Sequence, residues 1–190
     1  MPELATSDNP RSDDGPRPIR AIFLVGFMGA GKTTVGKSLA ERLRWSFIDL
    51  DDVIIRLTSK SVPEIFREEG ETGFREHETA ALRHVIEERI AAGATIIALG
   101  GGAFVQPRNV ELIRRSEYPA IFLDADPEEL RTRCAREEGK RPLFRDPNQF
   151  RQLYEARRSG YMEADLRVDT GGKSIDAIVN EVISRLDLHK

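Results

Sequence analysis

Cysteine is almost absent from this chain, since Cys134 is the one example in 190 residues. A disulfide within the chain needs two thiols and a cysteine-based zinc site needs several, so the sequence excludes both. A lone thiol is also typical of proteins from a reducing compartment. We expect Cys134 to be a partly buried helix residue without a special role.

Long apolar runs and an excess of positive charge are missing as well. The two longest apolar runs, residues 21–28 and 94–105, contain glycine and are well short of the roughly 18 residues that a membrane-spanning helix needs. Lys and Arg total 29 against 32 Asp and Glu, which leaves a formal charge of -3. Because no broad positive field attracts nucleic acid or an anionic membrane, we expect neither partner. Any anionic ligand must be bound by local groups.

The N-terminal residues 1–18 lack an apolar stretch and hold four acidic residues and four prolines. This composition matches neither a secretory signal nor an acid-poor transit peptide, so we expect a disordered tail and a cytoplasmic protein. Residues 19–190 have the length of one domain. With 39% hydrophobic residues in the chain, they can form one sizeable core.

Short apolar segments alternate with longer amphipathic ones from residue 19 onward, which predicts an α/β fold with a parallel sheet between helices. The predicted strands are residues 21–25, 46–49, 94–99, 120–124 and 166–168. Two insertions interrupt this alternation. Residues 52–85 are charged and helical in pattern and predict a small cap beside the sheet. Residues 136–148 combine glycine, two prolines and dense charge, which predicts a mobile lid.

A phosphate-binding loop is indicated by residues 26–33, GFMGAGKT, which fit the pattern G-x-x-x-x-G-K-[ST] between a predicted strand and a predicted helix. Its backbone N–H groups and the following helix N-terminus attract phosphate, Lys32 reaches the β and γ phosphates, and Thr33 binds Mg²⁺. ATP or a related nucleotide is the expected ligand. The candidate ATP-binding residues here are Gly29, Ala30, Gly31, Lys32, Thr33 and Thr34.

Two further segments suggest what accepts the phosphoryl group. Asp49 and Asp51 end the second predicted strand and would lie on one side if strand geometry continued to Asp51. Asp49 would then hold Mg²⁺, through water, and Asp51 would take the proton of an attacking hydroxyl. Gly100, Gly101 and Gly102 follow the third predicted strand, where bare backbone can approach a ligand closely. A solvated acidic helix start and a tight structural turn are the alternatives.

The chain also lacks an N-K-x-D tetrapeptide for reading guanine, which argues against a regulatory GTPase and favours a small-molecule kinase. Its motifs, in chain order, are the phosphate-binding loop, DLD at 49–51, GFRxxE at 73–78, the triple glycine, RPL at 141–143 and RxxxY at 157–161. Taken together, these motifs resemble those of the shikimate kinase family. The resemblance covers residues 21–170. It implies a five-stranded parallel sheet of the nucleoside monophosphate kinase type, with a helical substrate-binding insertion and a closing lid.

The same resemblance implies an activity: ATP phosphorylates the 3-hydroxyl of shikimate, in the pathway to chorismate and the aromatic amino acids. On the substrate side, Asp51 resembles the residue that grips shikimate hydroxyls, and Arg75 and Arg157 resemble the pair that clamps its carboxylate. Gly100, Gly101 and Gly102 would present backbone to the ring. Paired guanidinium groups suit a small carboxylate, although an exposed helix arginine is the alternative for each. Glu78, three residues after Arg75, would orient it.

On the nucleotide side, Arg133 resembles an arginine that packs on adenine, and Arg141 in the lid resembles one that contacts the transferring phosphate. The implied catalytic residues are Asp51, Lys32 and Arg141, and the implied metal-site residues are Thr33 and Asp49. Ser159 departs from the family, which usually has proline at that position. We expect a monomer.

Two rival interpretations remain from the sequence. Gluconate kinases and nucleoside monophosphate kinases share the phosphate-binding loop, the size and the lid, but they do not account for DLD, FRxxE and GGG together. A nucleotide-binding module without catalysis would keep Lys32 and could lose Asp51 or the arginines, all of which are present.

Overall fold

The computed structural model of this chain describes residues 18–136 and 146–188. Residues 1–17 of the expected tail lie outside these ranges. Most of the predicted lid, with Arg141 and the RPL motif, lies outside them too. The predictions for these segments therefore stay predictions.

Five strands alternate with eight helices over the described residues. The strands are β1 Ala21–Val25, β2 Ser46–Asp49, β3 Thr95–Ala98, β4 Ala120–Asp124 and β5 Leu166–Asp169. The helices are α1 Lys32–Leu43, α2 Leu50–Thr58, α3 Val62–His84, α4 Ile90–Ala92, α5 Pro107–Ser116, α6 Pro127–Arg136, α7 Pro147–Tyr161 and α8 Ile175–Arg185. A π-helical turn, Val85–Arg89, joins α3 to α4, and a 3-10 turn, Ala103–Val105, precedes α5.

The strands form one parallel sheet in the order β2-β3-β1-β4-β5. β1, β3 and β4 are fully buried along their length, as expected of strands covered on both faces. This confirms the predicted α/β class and the five-stranded parallel sheet. The predicted third strand was one residue too long at each end, and the fifth one residue too short.

Topology places a binding crevice at the carboxyl end of β1. The chain moves from β1 to β2 and β3 on one side of it, and then to β4 and β5 on the other. In open parallel sheets, ligands bind beyond the carboxyl ends of the strands where the strand order reverses in this way. The candidate residues after β1, β2 and β3 therefore converge on one place.

Helices α2 and α3 form most of the insertion predicted at residues 52–85 and pack against each other. Ser61 caps α3 in a reciprocal arrangement: its side chain accepts from the N–H of Glu64, whose carboxylate accepts from the N–H of Ser61. At Gly70 the backbone leaves helical geometry, with φ 67° and ψ -169°, so α3 is kinked there. Within residues 18–136 and 146–188, no helix is long and apolar enough to cross a membrane.

Candidate active site

The phosphate-binding loop lies between β1 and α1, as the motif predicts. Gly29 has φ 77°, and a Cβ there would lie 2.6 Å from the carbonyl oxygen of Leu130. Both the positive φ angle and the close approach of Leu130 exclude a side chain at this position. Lys32 is the first residue of α1, and its ammonium donates to the carbonyl oxygens of Gly26 and Phe27 at 2.9 and 3.0 Å. The helix N-terminus and this cation therefore face the same loop, which is the arrangement that attracts phosphate.

Thr33 and Asp49 meet across the cleft between α1 and β2. The Thr33 hydroxyl donates to Oδ2 of Asp49 at 3.0 Å, while Oδ1 accepts the N–H of Asp51 at 3.2 Å and caps α2. The strand ends at Asp49 and Asp51 belongs to α2, so the expectation of continued strand geometry is wrong. The helix start nevertheless keeps Asp51 in the same cleft. The residues lining that cleft are Met28, Gly29, Gly31, Lys32, Thr33, Thr34, Asp49, Asp51, Ala98, Leu99, Gly100 and Gly101.

The triple glycine follows β3 and is closely approached by charged side chains. A Cβ on Gly100 would lie 3.1 Å from Oε1 of Glu78 and 3.2 Å from Oδ1 of Asp51. A Cβ on Gly102 would lie 2.6 Å from Nη2 of Arg75, far inside van der Waals contact. Glycine at these positions lets a carboxylate and a guanidinium lie directly on the backbone.

Arg75 is held at this turn by two carboxylates of its own helix. Its Nη1 donates to Glu78 at 3.1 Å and its Nη2 to Glu71 at 3.1 Å. Glu78 is only 1% exposed and also accepts a hydrogen bond from the Gln106 side-chain amide. Burial raises the pKa of Glu78, although the nearby Arg75 cation acts in the opposite direction. The structure thus places Glu78 as the partner that orients Arg75.

Arg157 reaches the same turn from α7, on the other side. A Cβ on Gly101 would lie 3.6 Å from Nη1 of Arg157. The guanidinium carbon of Arg157 lies 5.9 Å from the centroid of the Phe27 ring. The hydroxyl of Tyr161, one turn further along α7, donates to the carbonyl oxygen of Gly101. Ser159 is exposed and α7 continues through it to Tyr161.

Arg133 lies beside the phosphate-binding loop, on α6. Its guanidinium donates to the hydroxyl of Thr170 at 3.1 Å, to the carbonyl of Thr170 at 2.8 Å and to Glu129 at 2.6 Å. A longer contact of 3.5 Å reaches the carbonyl of Gly29. The side chain is therefore fixed next to the phosphate-binding loop.

Several polar residues near the site were not singled out from the sequence. They are Gln106, Asp124, Tyr154, Arg158 and Arg167. Asp124 carries the signal that identified Asp49, an acid at the carboxyl end of a predicted strand, and could have been found. Gln106 carries no such signal, because its role depends on α3 and α5 packing together.

Comparisons with known proteins show which family this chain resembles. The family model described as Shikimate kinase matches residues 28–187. The chain is 39% identical to a shikimate kinase of Thermus thermophilus over 92% of its own length and 94% of that protein, and 38% identical to one of Enterococcus faecalis over 88% and 99%. It also resembles the structure of a shikimate kinase from Acinetobacter baumannii in complex with shikimate, with a TM-score of 0.79 and 35% identity, covering 90% of this chain and 95% of the other.

Proposed function

The chain belongs to the shikimate kinase family, and from this membership we propose how its cleft transfers the γ-phosphoryl group of ATP to the 3-hydroxyl of shikimate. The products are shikimate 3-phosphate and ADP. The reaction serves the pathway to chorismate and the aromatic amino acids.

One observation carries the assignment of the acceptor site: two guanidinium groups from different elements approach one glycine turn beside an aspartate. Arg75 lies against Gly102 and Arg157 near Gly101, while Gly100 adjoins Asp51. Two guanidinium groups provide bidentate donors for a single carboxylate. The aspartate beside them is an acceptor for a hydroxyl. This combination suits a small hydroxylated acid such as shikimate.

The protein residues take the following parts in the transfer. The hydroxyl oxygen of shikimate bonds to the γ-phosphorus, the bond from phosphorus to the leaving oxygen of ADP breaks, and Asp51 accepts the hydroxyl proton. Lys32 stabilises negative charge on the β and γ phosphates, and the backbone of Gly29, Ala30 and Gly31 holds them. Thr34 follows at the same helix N-terminus. Arg133 borders the nucleotide base, and Arg141, outside the described residues, would add a cation at the phosphate.

Magnesium fits the pair formed by Thr33 and Asp49. Mg²⁺ prefers oxygen ligands, and it is commonly held by one or two protein oxygens together with water and substrate phosphates. The hydroxyl of Thr33 and Oδ2 of Asp49 are 3.0 Å apart at the phosphate-binding loop, so Thr33 would bind the ion and Asp49 would hold it through water. When bound, the ion neutralises charge on the transferring phosphate.

The remaining expectations are part of the same proposal. They are a cytoplasmic location, a monomeric state and no nucleic-acid or membrane partner. A gluconate or nucleoside monophosphate kinase is disfavoured because neither accounts for DLD, FRxxE and GGG together, and the matching family model and curated relatives are shikimate kinases.

A coupled assay of ADP release tests the function directly. The purified chain is given Mg-ATP with shikimate, gluconate, AMP or CMP in separate reactions, and product is identified by mass. We expect turnover with shikimate alone and loss of turnover when EDTA removes Mg²⁺. Comparable turnover with gluconate or a nucleotide would contradict the assignment, and no turnover with any acceptor would support the non-catalytic alternative.

A further inference from the structure

Asp124 is a buried carboxylate that the reaction described above does not use. It ends β4, is 3% exposed, and both of its carboxylate oxygens have partners. Oδ1 accepts the hydroxyl of Tyr154 at 2.8 Å. Oδ2 accepts Nε and Nη2 of Arg167 at 2.9 Å each, and Nη2 of Arg158 lies 3.7 Å away. A buried carboxylate with this many donors is costly to disturb, because its loss takes a hydrogen-bond acceptor from Tyr154 and Arg167.

The contacts of Asp124 join three elements at the carboxyl edge of the sheet. Tyr154 and Arg158 belong to α7, Arg167 belongs to β5, and the main chain of Asp124 takes part as well. Its carbonyl oxygen accepts both the N–H and the hydroxyl of Thr170, at 2.7 and 3.0 Å. Asp124 therefore fixes α7 to the sheet at the carboxyl ends of β4 and β5.

The face of α7 that is fixed in this way also bears Arg157. Tyr154 and Arg158 are four residues apart and so lie on one side of the helix, and Arg157, three residues after Tyr154, lies at the edge of that side. Phe150 and Tyr154 pack edge-on against Phe27 of the phosphate-binding loop, with ring centroids 5.1 and 5.6 Å apart. Burial, and then the hydrogen bond to Asp124, raises the pKa of Tyr154 to about 12, so its hydroxyl stays a donor at neutral pH.

We infer that Asp124 is a positioning residue for shikimate binding, which holds α7 through Tyr154 and Arg158 so that Arg157 lies at the glycine turn. This rests on the proposed function, and specifically on Arg157 as a ligand of the shikimate carboxylate. The adjacent arginines then have different tasks. Arg157 faces the substrate, while Arg158 faces Asp124 and maintains the place of the helix.

The test compares the KM for shikimate, the KM for ATP and the turnover of the parent with those of three variants of the full-length chain. Asp124→Asn keeps the shape of the side chain but removes the charge that Arg158 and Arg167 face. Tyr154→Phe removes one hydroxyl and keeps the ring that packs on Phe27. Asp169→Asn is the matched control, because Asp169 pairs in register with Asp124 on β5 yet is exposed, and its side chain accepts the N–H of Gly171 two residues further on.

We expect Asp124→Asn to raise the KM for shikimate by about fivefold or more, since small displacements of a positioning group have large effects. Tyr154→Phe should act in the same direction and less strongly. The KM for ATP should stay within about twofold of the parent for both variants. Asp169→Asn should leave the KM for shikimate, the KM for ATP and the turnover within about twofold of the parent. Thermal unfolding of each variant shows whether the protein is folded at the assay temperature.

A second comparison separates positioning from general destabilisation. In an Arg157→Ala background, Asp124→Asn should raise the KM for shikimate by less than about twofold, because the group it positions is gone. An equal rise in both backgrounds, or no rise in the parent background, overturns the inference. Tyr154→Phe, tested in the same two backgrounds, decides the question if Asp124→Asn does not fold.

Failure of the parent to phosphorylate shikimate would instead refute the proposed function. An unaltered KM for shikimate in Arg157→Ala alone would refute the clamp on which the inference rests.

Discussion

Two carboxylates two positions apart, Asp49 and Asp51, are given different surroundings by the start of α2. Asp49 accepts the Thr33 hydroxyl and the N–H of Asp51, so its oxygens are committed to the loop and the helix cap. Asp51 lies in the first turn of α2, next to Gly100. The first arrangement suits an acid that supports a metal site, and the second suits one that contacts the acceptor hydroxyl.

Asp51→Asn should abolish phosphoryl transfer while nucleotide binding persists. The amide keeps the shape of the side chain but cannot accept the hydroxyl proton as a carboxylate does, a contribution of roughly 10² to 10⁴ in rate. Turnover and ADP affinity are measured on one preparation. Asp52→Asn is the control, because Asp52 is the next residue of α2 but is exposed. Turnover of Asp51→Asn within a few fold of the parent would remove Asp51 from the role of base.

Glu78 should give the protein a pH-dependent stability that its glutamine variant lacks. Burial raises its pKa in the folded state, so ionising it costs more in the folded than in the unfolded protein. Its contribution to stability is therefore complete below the unfolded pKa and is lost as pH rises through the raised folded pKa. We expect the melting temperature of the parent, relative to Glu78→Gln, to fall as the pH rises above about 4.

The comparison for Glu78 is Glu71→Gln, which removes the other carboxylate bound to Arg75. The Glu71 side chain is 71% exposed, against 1% for Glu78. Glu71→Gln shows what the loss of a carboxylate beside Arg75 does to the melting curves at an exposed position. If Glu78→Gln runs parallel to the parent over the same pH range, burial of Glu78 does not govern this titration.

The glycine turn after β3 has no side chains, so its backbone lies directly against Arg75. Gly102→Ala should leave the fold intact and displace Arg75, because the Cβ would overlap the mobile end of that side chain and not the backbone. Losing a charge-assisted hydrogen bond of about 1.5 to 3 kcal/mol raises the KM for shikimate by about tenfold or more. The KM for ATP should change little. Steady-state kinetics in both substrates measure the two effects.

Gly93→Ala is the matched control for the glycine turn. Gly93 precedes β3, has extended backbone with φ 168°, and a Cβ there would meet nothing within 4 Å. This variant should match the parent in both KM values. Equal effects of the two alanines would mean that Arg75 is not held by close approach to Gly102.

The sequence predicts elements better than it predicts their junctions. Alternating apolar segments located all five strands, and the phosphate-binding loop was recognisable because its glycines and Lys32 are contiguous. Asp51 was expected beside Asp49 because the strand was assumed to continue, but the strand ends at Asp49 and the start of α2 places Asp51 in the cleft. The contacts of Gln106 with Glu78 and of Asp124 with Tyr154 join residues 28 and 30 positions apart. No local pattern encodes such pairs, because they depend on how the helices pack.

The strand order brings together groups from both halves of the chain. Arg75 comes from the insertion between β2 and β3, and Arg157 from the helix before β5. β3 lies next to β1, so the glycine turn opens beside the phosphate-binding loop. Each arginine also has its own support, Glu78 for Arg75 and the Asp124 contacts on α7 for Arg157.

A double-mutant cycle on the two arginines tests whether they hold one carboxylate. Arg75→Ala and Arg157→Ala should each raise the KM for shikimate by about tenfold to a hundredfold, at roughly 1.4 kcal/mol per decade, with ATP binding near normal. Because both side chains would serve one ligand group, the free energies should not add in the double variant, unlike those of distant sites. Arg158→Ala is the neighbouring control and should weaken shikimate binding less than Arg157→Ala.

The carboxamide of shikimate completes the cycle, because it removes the negative charge from the ligand instead of the cations from the protein. It should be a poor acceptor for the parent, since a neutral amide cannot form the charge-assisted pairs that Arg75 and Arg157 offer to a carboxylate. The double variant should phosphorylate shikimate and its carboxamide with nearly the same low efficiency. If the parent phosphorylates the carboxamide as efficiently as the acid, the two arginines do not clamp the carboxylate, and the cluster of cations at the glycine turn requires another explanation.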